Sequence, residues 1–228
     1  MSVDVTWLGH NCWSIRSGNH TILIDPFLSE SPTAPKRPEE VAADVILISH
    51  GHGDHTGDVV AIAERTGAAV VTNYEISLWL AEKGVKKCVG GNLGGWSKHA
   101  FGDVQLTLAH HSSVLPDGTY GGNPAGFLVR TGGKQLYFAC DTALFMDMQL
   151  IGAAGLDLAV VPIGDLYTMG PDDALQAVKW LRPKHALPCH YDTFPPIAQD
   201  GKAWAARVTS ATGAKGHAPK PGETIAID

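Results

Sequence analysis

The chain has 228 residues, 44% of them hydrophobic and 18% charged, a composition that fits a folded globular protein and excludes a disordered or coiled-coil chain. Its 17 basic and 23 acidic residues give a net charge of −6, which disfavours nucleic acid and anionic membranes as main partners. No apolar run approaches the roughly 18 residues that a membrane helix needs, and no secretion signal precedes Val3, so we expect a cytoplasmic protein without a membrane anchor.

A chain of this length is expected to form one domain, 1–228, whose core needs neither a disulfide nor a metal for stability. The cysteines are widely spaced and form no C-x-x-C pair, which predicts free, buried thiols at Cys12, Cys88, Cys140 and Cys189. Any bound metal is therefore expected to serve chemistry.

Short apolar segments alternate along the chain with segments of helical periodicity. Strands are predicted at 21–24, 45–48, 104–108, 127–129, 135–138, 158–161 and 186–189. Helices are predicted at 58–66, 75–83, 145–153, 172–181 and 203–209. This order predicts an α/β or α+β fold in which helices cover the sheets.

Five of the eleven histidines fall in two short stretches, His50-Gly51-His52-Gly53-Asp54-His55 and His110-His111. Imidazole and carboxylate groups are the ligands that borderline divalent metals prefer. Residues two apart in an extended chain face the same side, so His50 and His52 can reach one metal while Asp54 and His55 point elsewhere. The spacing predicts two metal positions.

Four strand-like segments each end at a potential ligand, namely His50, His110 or His111, Asp141, and His190. Ligands at strand ends can converge on one sheet edge, which is the usual position of the site in layered α/β proteins. Only one of the adjacent His110 and His111 is expected to face the metals, and spacing does not choose between them.

These motifs resemble the metallo-β-lactamase superfamily, whose fold is a four-layer αββα sandwich. More narrowly, the chain resembles metal-dependent hydrolases of that superfamily related to ascorbate-6-phosphate lactonase. The motifs that carry this resemblance span nearly the whole chain: Leu8-Gly9-His10, Asp25-Pro26-Phe27-Leu28, Asp141-Thr142-Ala143-Leu144-Phe145, Pro162-Ile163-Gly164-Asp165, Thr168-Met169-Gly170-Pro171 and His190-Tyr191-Asp192-Thr193-Phe194-Pro195.

The resemblance implies a full set of metal ligands and favours His111 over His110. One metal would take His50, His52 and His111, the other Asp54, His55 and His190, and Asp141 would bridge them. A hydroxide between the ions would be the nucleophile, and Asp54 would transfer a proton as a catalytic residue. Two divalent ions are expected, with zinc favoured and manganese, nickel or iron as alternatives.

Cys140 stands where the family usually has glycine. Adjacent side chains on a strand face opposite ways, so we expect Asp141 to face the metals and Cys140 to be buried. His10, Asp165 and Thr168 are candidates either for hydrogen-bonding the ligands from behind or for capping turns at strand ends, and the sequence does not choose between these roles.

The sequence thus predicts an enzyme, a dinuclear metal-dependent hydrolase acting on a small polar ester, lactone, amide or phosphoester, with homo-oligomer formation left open. One alternative is an iron-binding redox protein of the same fold. It is opposed by His52, where those relatives carry an acidic residue, and by a length that leaves no room for their flavin domain. The other alternative is a phosphodiesterase or nuclease of the same fold. The net negative charge of the chain opposes it. The 48 residues between Asp141 and His190 are also too few for the insertion with which such enzymes bind RNA.

Overall fold

The structure is a computed structural model that describes residues 2–228. Its strands are β1 (Val3–Trp7), β2 (Trp13–Ser17), β3 (His20–Ile24), β4 (Val45–Leu47), β5 (Ala69–Asn73), β6 (Cys88–Gly91), β7 (Trp96–His99), β8 (Gly102–Leu108), β9 (Ala125–Thr131), β10 (Lys134–Phe138), β11 (Leu158–Pro162), β12 (His185–Cys189), β13 (Lys215–Gly216) and β14 (Thr224–Ile227). Its α-helices are α1 (Gly53–Thr56), α2 (Val59–Thr66), α3 (Tyr74–Glu82), α4 (Met148–Gly152), α5 (Pro171–Leu181) and α6 (Gly201–Ala211). Single 3₁₀ turns lie at Pro38–Glu40 and Pro195–Ile197.

The strands form two seven-stranded sheets, in the orders β14-β1-β2-β3-β4-β5-β6 and β13-β12-β11-β10-β9-β8-β7. Strands β3 to β6 run parallel to one another, as do β10 to β13, and the other pairings are antiparallel. In each sheet the parallel strands therefore end at the same edge, and the connections that follow them share that edge.

The two sheets pack face to face around one apolar core. Side chains of the first sheet, such as Ile15 and Ile22, meet Phe127 and Leu136 of the second, and all four are fully buried. A separate apolar cluster lies between the first sheet and helices α2 and α3, while α5 packs on β11 and α6 on β12. Helices thus cover the outer face of each sheet, and the predicted αββα sandwich is confirmed.

Helix α5 shows how local sequence sets the boundaries. Pro171 occupies its first turn with Asp172 and Asp173, where a fixed φ and negative charge suit the positive end of the helix. The helix ends at Leu181 because Arg182 takes a left-handed conformation, and its amide donates to the carbonyl of Val178.

Every predicted helix and strand segment has a counterpart at nearly the predicted position. The predicted helix 145–153 is shorter, since α4 covers only Met148–Gly152 and the residues before it form a turn. All four cysteines are free, and Cys88 is half-buried whereas the others are buried. Among the helices of residues 2–228, none combines the length and apolarity needed to cross a bilayer.

Candidate metal centre

Seven predicted ligands come together where the two sheets meet at one edge. His50 and His52 lie on the connection from β4 of the first sheet into α1, and Asp54 and His55 lie within α1. The other three follow strands of the second sheet: His111 after β8, Asp141 after β10 and His190 after β12. The site is therefore built from both halves of the sandwich.

One group consists of three imidazoles. The Nε2 atom of His50 lies 2.9 Å from Nδ1 of His52, and the His111 ring lies 5.0 Å from the His50 ring, centroid to centroid. One nitrogen from each of the three residues falls within 4.8 Å of the others. Such a triangle of neutral donors can hold a single divalent ion. His110, by contrast, is exposed and packs on Phe145.

The second group contains Asp54, His55 and His190, and His10 adjoins it. Asp141 lies between the two groups. Its Oδ2 atom is 3.0 Å from Nε2 of His190, 3.4 Å from Nε2 of His55 and 3.6 Å from Nε2 of His111. One carboxylate oxygen therefore approaches imidazoles of both groups.

Gly51 keeps the path of this loop tight. A Cβ atom there would lie 3.1 Å from the backbone of Val114, and the Gly51 amide donates to the Ser113 hydroxyl at 3.1 Å. A larger residue would push the 113–115 segment away from the imidazole group.

Several buried polar atoms of the cluster have no hydrogen-bond partner within residues 2–228. They are Nε2 of His55, Nδ1 of His190 and Oδ1 of Asp141. Buried polar groups are almost always paired, so orphans grouped in one place indicate that a ligand completes them. Imidazoles with two carboxylates are a donor set suited to zinc, manganese, nickel or iron, so these residues fit a divalent metal.

Asp25 fixes the orientation of the ligands through hydrogen bonds on the side away from the cluster. It is fully buried and accepts hydrogen bonds from Nδ1 of His55 at 2.8 Å, from the Ser49 hydroxyl at 2.5 Å and from the Asn11 amide at 2.8 Å. Ser49 in turn accepts from Nδ1 of His50 at 2.9 Å. Bonding the outer nitrogen fixes each ring and leaves Nε2 facing the cluster.

Sequence reasoning did not find this role of Asp25, which entered only as part of a family motif. The signal was available, because β3 ends at Asp25 in the same way that other strands end at ligands.

His10 lies behind Asp54. It is fully buried, its Nε2 atom is 3.1 Å from Oδ2 of Asp54, and its Nδ1 atom is 2.8 Å from the Thr193 hydroxyl. The rings of Phe27 and Phe194 flank it at centroid distances of 5.7 and 5.8 Å. His10 therefore holds Asp54 in one orientation within an apolar setting.

Asp165 and Thr168 are placed differently. Oδ1 of Asp165 accepts from the Leu166 amide at 2.9 Å, and the Asp165 amide donates to the carbonyl of Met169. The Thr168 hydroxyl bonds to the carbonyl of Met169. In the described structure both side chains make their hydrogen bonds within the 165–169 loop, which they shape, and neither bonds to a predicted ligand.

Burial and neighbouring charges set the protonation of the cluster. Burial lowers the pKa of His50 well below its usual value, and lowers that of His52 and His111, so these rings are neutral and able to bind metal. Burial alone would raise the pKa of Asp141, but the adjacent His190 and His55 hold it well below its usual value.

Asp54 and His55 show the same competition. Burial opposes the charged form of Asp54, yet the hydrogen bond from His10 and the charge of His55 lower its pKa. Burial would lower the pKa of His55, but Asp141 and Asp25 raise it well above its usual value. Without metal, His55 thus carries a proton that balances two buried carboxylates, and metal binding at Nε2 requires its release.

The strand ends that carry these residues have strained backbones. His10, Asp25, Cys140, Asp165 and His190 all have positive φ, between 42° and 64°. Such conformations are costly for residues other than glycine and concentrate at functional sites. At Cys140, φ of 52° accounts for the glycine usual in the family, and the Cys140 side chain is buried while Asp141 faces the cluster, as expected.

A cavity of about 720 Å³ lies beside the segment that follows His190, lined by Trp7, Tyr191, Asp200, Lys202 and Lys220 among others. None of the seven predicted ligands lines it. The candidate site is identified by its cluster of ligand side chains and not by the volume of a cavity, because ligand side chains that converge on one point leave little space between them.

The fold and this cluster together define a metal-dependent hydrolase of the metallo-β-lactamase type. Residues 4–190 match the family model described as beta-lactamase superfamily domain. The chain belongs to that superfamily, and within it to the UPF0173 metal-dependent hydrolases. A UPF0173 metal-dependent hydrolase of Thermus thermophilus is 52% identical over 226 residues, which cover 99% of this chain and 100% of the relative.

Solved structures agree with this assignment. Igni18, described as a novel metallo hydrolase from Ignicoccus hospitalis, superposes with a TM-score of 0.91 at 36% identity, covering 100% of this chain and 99% of its own. CmlA of Streptomyces venezuelae, described as a diiron β-hydroxylase, shares the fold alone: its TM-score is 0.74 at 16% identity, over 99% of this chain and 54% of CmlA.

Proposed function

We propose that the protein is a dinuclear hydrolase. The observation that carries the proposal is the position of Asp141, whose Oδ2 atom lies within 3.6 Å of imidazoles from both ligand groups. His50, His52 and His111 would hold one ion, Asp54, His55 and His190 the other, and Asp141 both. The orphaned atoms of His55 and Asp141 support this division.

Two divalent ions would supply a Lewis acid for the scissile carbonyl or phosphoryl group and a water of lowered pKa as nucleophile. Asp54 is suited to move the proton. Its side chain is 33% exposed, its Oδ1 atom lies 3.9 Å from Nε2 of His55, and its Oδ2 atom is held by His10. It can therefore accept a proton from the nucleophile and return it to the leaving group.

The substrate is proposed to be a small molecule with an ester, lactone, amide or phosphoester bond. The half-buried His52 and His111 open the imidazole group to solvent, and the Ser112 hydroxyl lies 3.4 Å from Nε2 of His52. Zinc is the favoured ion, since it suits imidazole with carboxylate. The free thiols support a reducing compartment, the cytoplasm.

Elemental analysis of protein purified without chelator or affinity-tag metal tests the proposal. We expect about two zinc ions per chain, and hydrolysis within a panel of lactones, esters and phosphodiesters that chelation abolishes and zinc restores. Absence of metal even after reconstitution would contradict it. Iron with an oxygen-reactive visible spectrum would favour a redox function instead, and salt-dependent binding of single-stranded RNA a nuclease.

A further inference from the structure

The connections that lead from the strands ending at the metal centre to the next α-helix or strand contain only three basic residues, Lys36 and Arg37 between β3 and β4 and Lys220 after β13. None lies in the parts of these connections that we call the site loops, residues 8–12, 25–35, 48–58, 109–124, 139–147, 163–170 and 190–200. The 17 basic residues of the chain all lie elsewhere. An enzyme that recognises phosphate or carboxylate substrates normally has such a cation near the reacting group, since bidentate arginine contacts fix these anions best.

The same loops are rich in acids. They contain Asp25, Glu30, Asp54, Asp58, Asp117, Asp141, Asp147, Asp165, Asp192 and Asp200. Lys202 follows the 190–200 loop, and Lys220 lies between β13 and β14. Both lysines line the separate cavity, together with Asp192 and Asp200.

The charge of two divalent ions would be largely offset at this site. Asp25, Asp54 and Asp141 are buried or half-buried at the centre and carry three negative charges when ionised, and an ionised nucleophile would add a fourth. Of the acids farther out, Asp117 pairs with Lys83 at 3.3 Å, whereas Asp147 and Asp165 form no ion pair in the described structure and add negative charge on this side of the molecule.

Exposed apolar side chains surround this approach. Of twelve large hydrophobic residues exposed in the described structure, six lie in the site loops: Val114, Tyr120, Met146, Leu166, Tyr167 and Phe194. Leu166 and Tyr167 are 67% and 60% exposed. Their loop is joined to the Asp141 loop by the hydrogen bond from Met169 to Thr142, and Phe194 adjoins His10. Apolar patches of this kind mark binding surfaces.

We propose, on the basis of the hydrolase function above, that the site takes an uncharged or cationic substrate with an apolar group and discriminates against anionic ones. The acidic loops repel a carboxylate or phosphate on the substrate, and no side chain there compensates its lost hydration. The apolar rim contributes by burying a hydrocarbon portion of the substrate. Phosphorylated sugars are therefore poor candidates.

Three aryl acetates that carry a neutral, an anionic and a cationic para group test the charge preference: methyl 4-acetoxybenzoate, 4-acetoxybenzoate and (4-acetoxyphenyl)trimethylammonium. Because the para group also changes the leaving ability of the phenolate, each kcat/KM is divided by the rate constant for hydroxide-catalysed hydrolysis of the same acetate. With the zinc-loaded chain, we expect kcat/KM for the neutral and cationic esters to exceed that for the anion by about tenfold, and added salt to narrow the difference. Equal or faster hydrolysis of the anion would overturn the inference and leave the hydrolase function standing.

A charge variant localises the effect. Leu166→Lys places a cation in the apolar rim and should raise the anion-to-neutral ratio of kcat/KM by about fivefold. Leu150→Lys is the matched control, since it makes the same change at a 74% exposed position on α4, outside the site loops. A shift of equal size in both variants, or a change of oligomeric state in Leu166→Lys alone, would contradict the assignment of this rim to substrate binding.

Binding provides a readout independent of turnover. The corresponding ethers, methyl 4-methoxybenzoate, 4-methoxybenzoate and (4-methoxyphenyl)trimethylammonium, cannot be hydrolysed at the tested position. Ligand-observed NMR titration of the zinc-loaded chain should rank the anion weakest. If no ester is hydrolysed but this ranking holds, the charge preference stands and ester hydrolysis fails; if the anion binds as well as the others, the charge preference fails.

Discussion

Asp141 is the residue on which both groups of the metal centre depend. Asp141→Ala removes the oxygen that lies within 3.6 Å of three imidazoles, and leaves those groups without a shared partner. We expect metal content to fall below two per chain and activity to fall by at least about a hundredfold, while the fold survives. Elemental analysis, kinetics and circular dichroism measure the three effects.

Asp173→Ala is the matched control for this variant, because Asp173 is exposed on α5, outside the site loops. Full activity in Asp141→Ala would refute the bridging role.

Thr193 acts on the same centre through His10. Thr193→Val keeps the side-chain shape but removes the hydroxyl 2.8 Å from Nδ1 of His10, which frees the ring that orients Asp54. We expect the affinity for one of the two metal equivalents to fall by about 10- to 100-fold, with the other unchanged, in a competitive metal titration. Thr209→Val on α6 makes the same chemical change away from the site, and equal weakening in both would argue against a specific role.

At the scale of secondary-structure elements, the two residues that cap α3 and α6 differ in the other hydrogen bonds that their side chains make. Asn73 caps α3 by accepting from the Ile76 amide, and its own amide donates to the carbonyls of Gly121 and Asn123. Asp200 caps α6 through one bond, to the Ala203 amide at 2.9 Å. We expect Asp200→Ala to cost about 1 kcal/mol of unfolding free energy and Asn73→Ala about 2 to 4 kcal/mol, because the latter also leaves two carbonyls unpaired. Urea unfolding compares them, and equal costs would contradict this account.

A histidine pair links β12 to the C-terminal segment. Nδ1 of His185 lies 2.9 Å from Nε2 of His217, and burial lowers the pKa of His217 to about 4 and also lowers that of His185. A folded-state pKa below the unfolded value near 6.5 means that the pair favours folding above about pH 6.5 and that this contribution is lost as the pH falls towards 4.

The variant His217→Gln tests that pH dependence. In metal-free protein it should flatten the decline of unfolding free energy between about pH 6.5 and 4. An unaltered profile in His217→Gln would show that the pair does not titrate on unfolding.

Elements with strong local signals could be predicted from the sequence, and those held only by their neighbours could not. The apolar runs of β4 and β11 and the proline and acidic start of α5 are local signals. Strands β6 and β7, with the sequences CVGG and WSKH, have no apolar alternation, and pairing with β5 and β8 makes them strands. Likewise, residue spacing and resemblance identified the candidate ligands, but Thr193 acts through a contact that only the tertiary fold creates.

For the whole molecule, the metal centre connects the two sheets, so metal binding should stabilise the entire sandwich. At a free metal concentration about 100 times the dissociation constant, each site would add about 2.7 kcal/mol of unfolding free energy. In a protein of this size that amount raises Tm by roughly 5 to 10 °C. Differential scanning calorimetry before and after chelation measures it, with zinc re-addition as the control. An unchanged Tm after verified metal loss would contradict the connection.

The pairing of β1 with β14 affects how the sheet can form while the chain is being synthesised. Among the strands described, β1 is synthesised first and β14 last, yet Val3 pairs with Ile227. During synthesis β1 can pair with β2 on one side, while its other edge stays open until β14 has been made. Contacts this distant in sequence slow folding, and an open strand edge invites pairing with other chains. The nascent sandwich is therefore most prone to aggregation just before β14 is added, when nearly all of its core residues have already been synthesised.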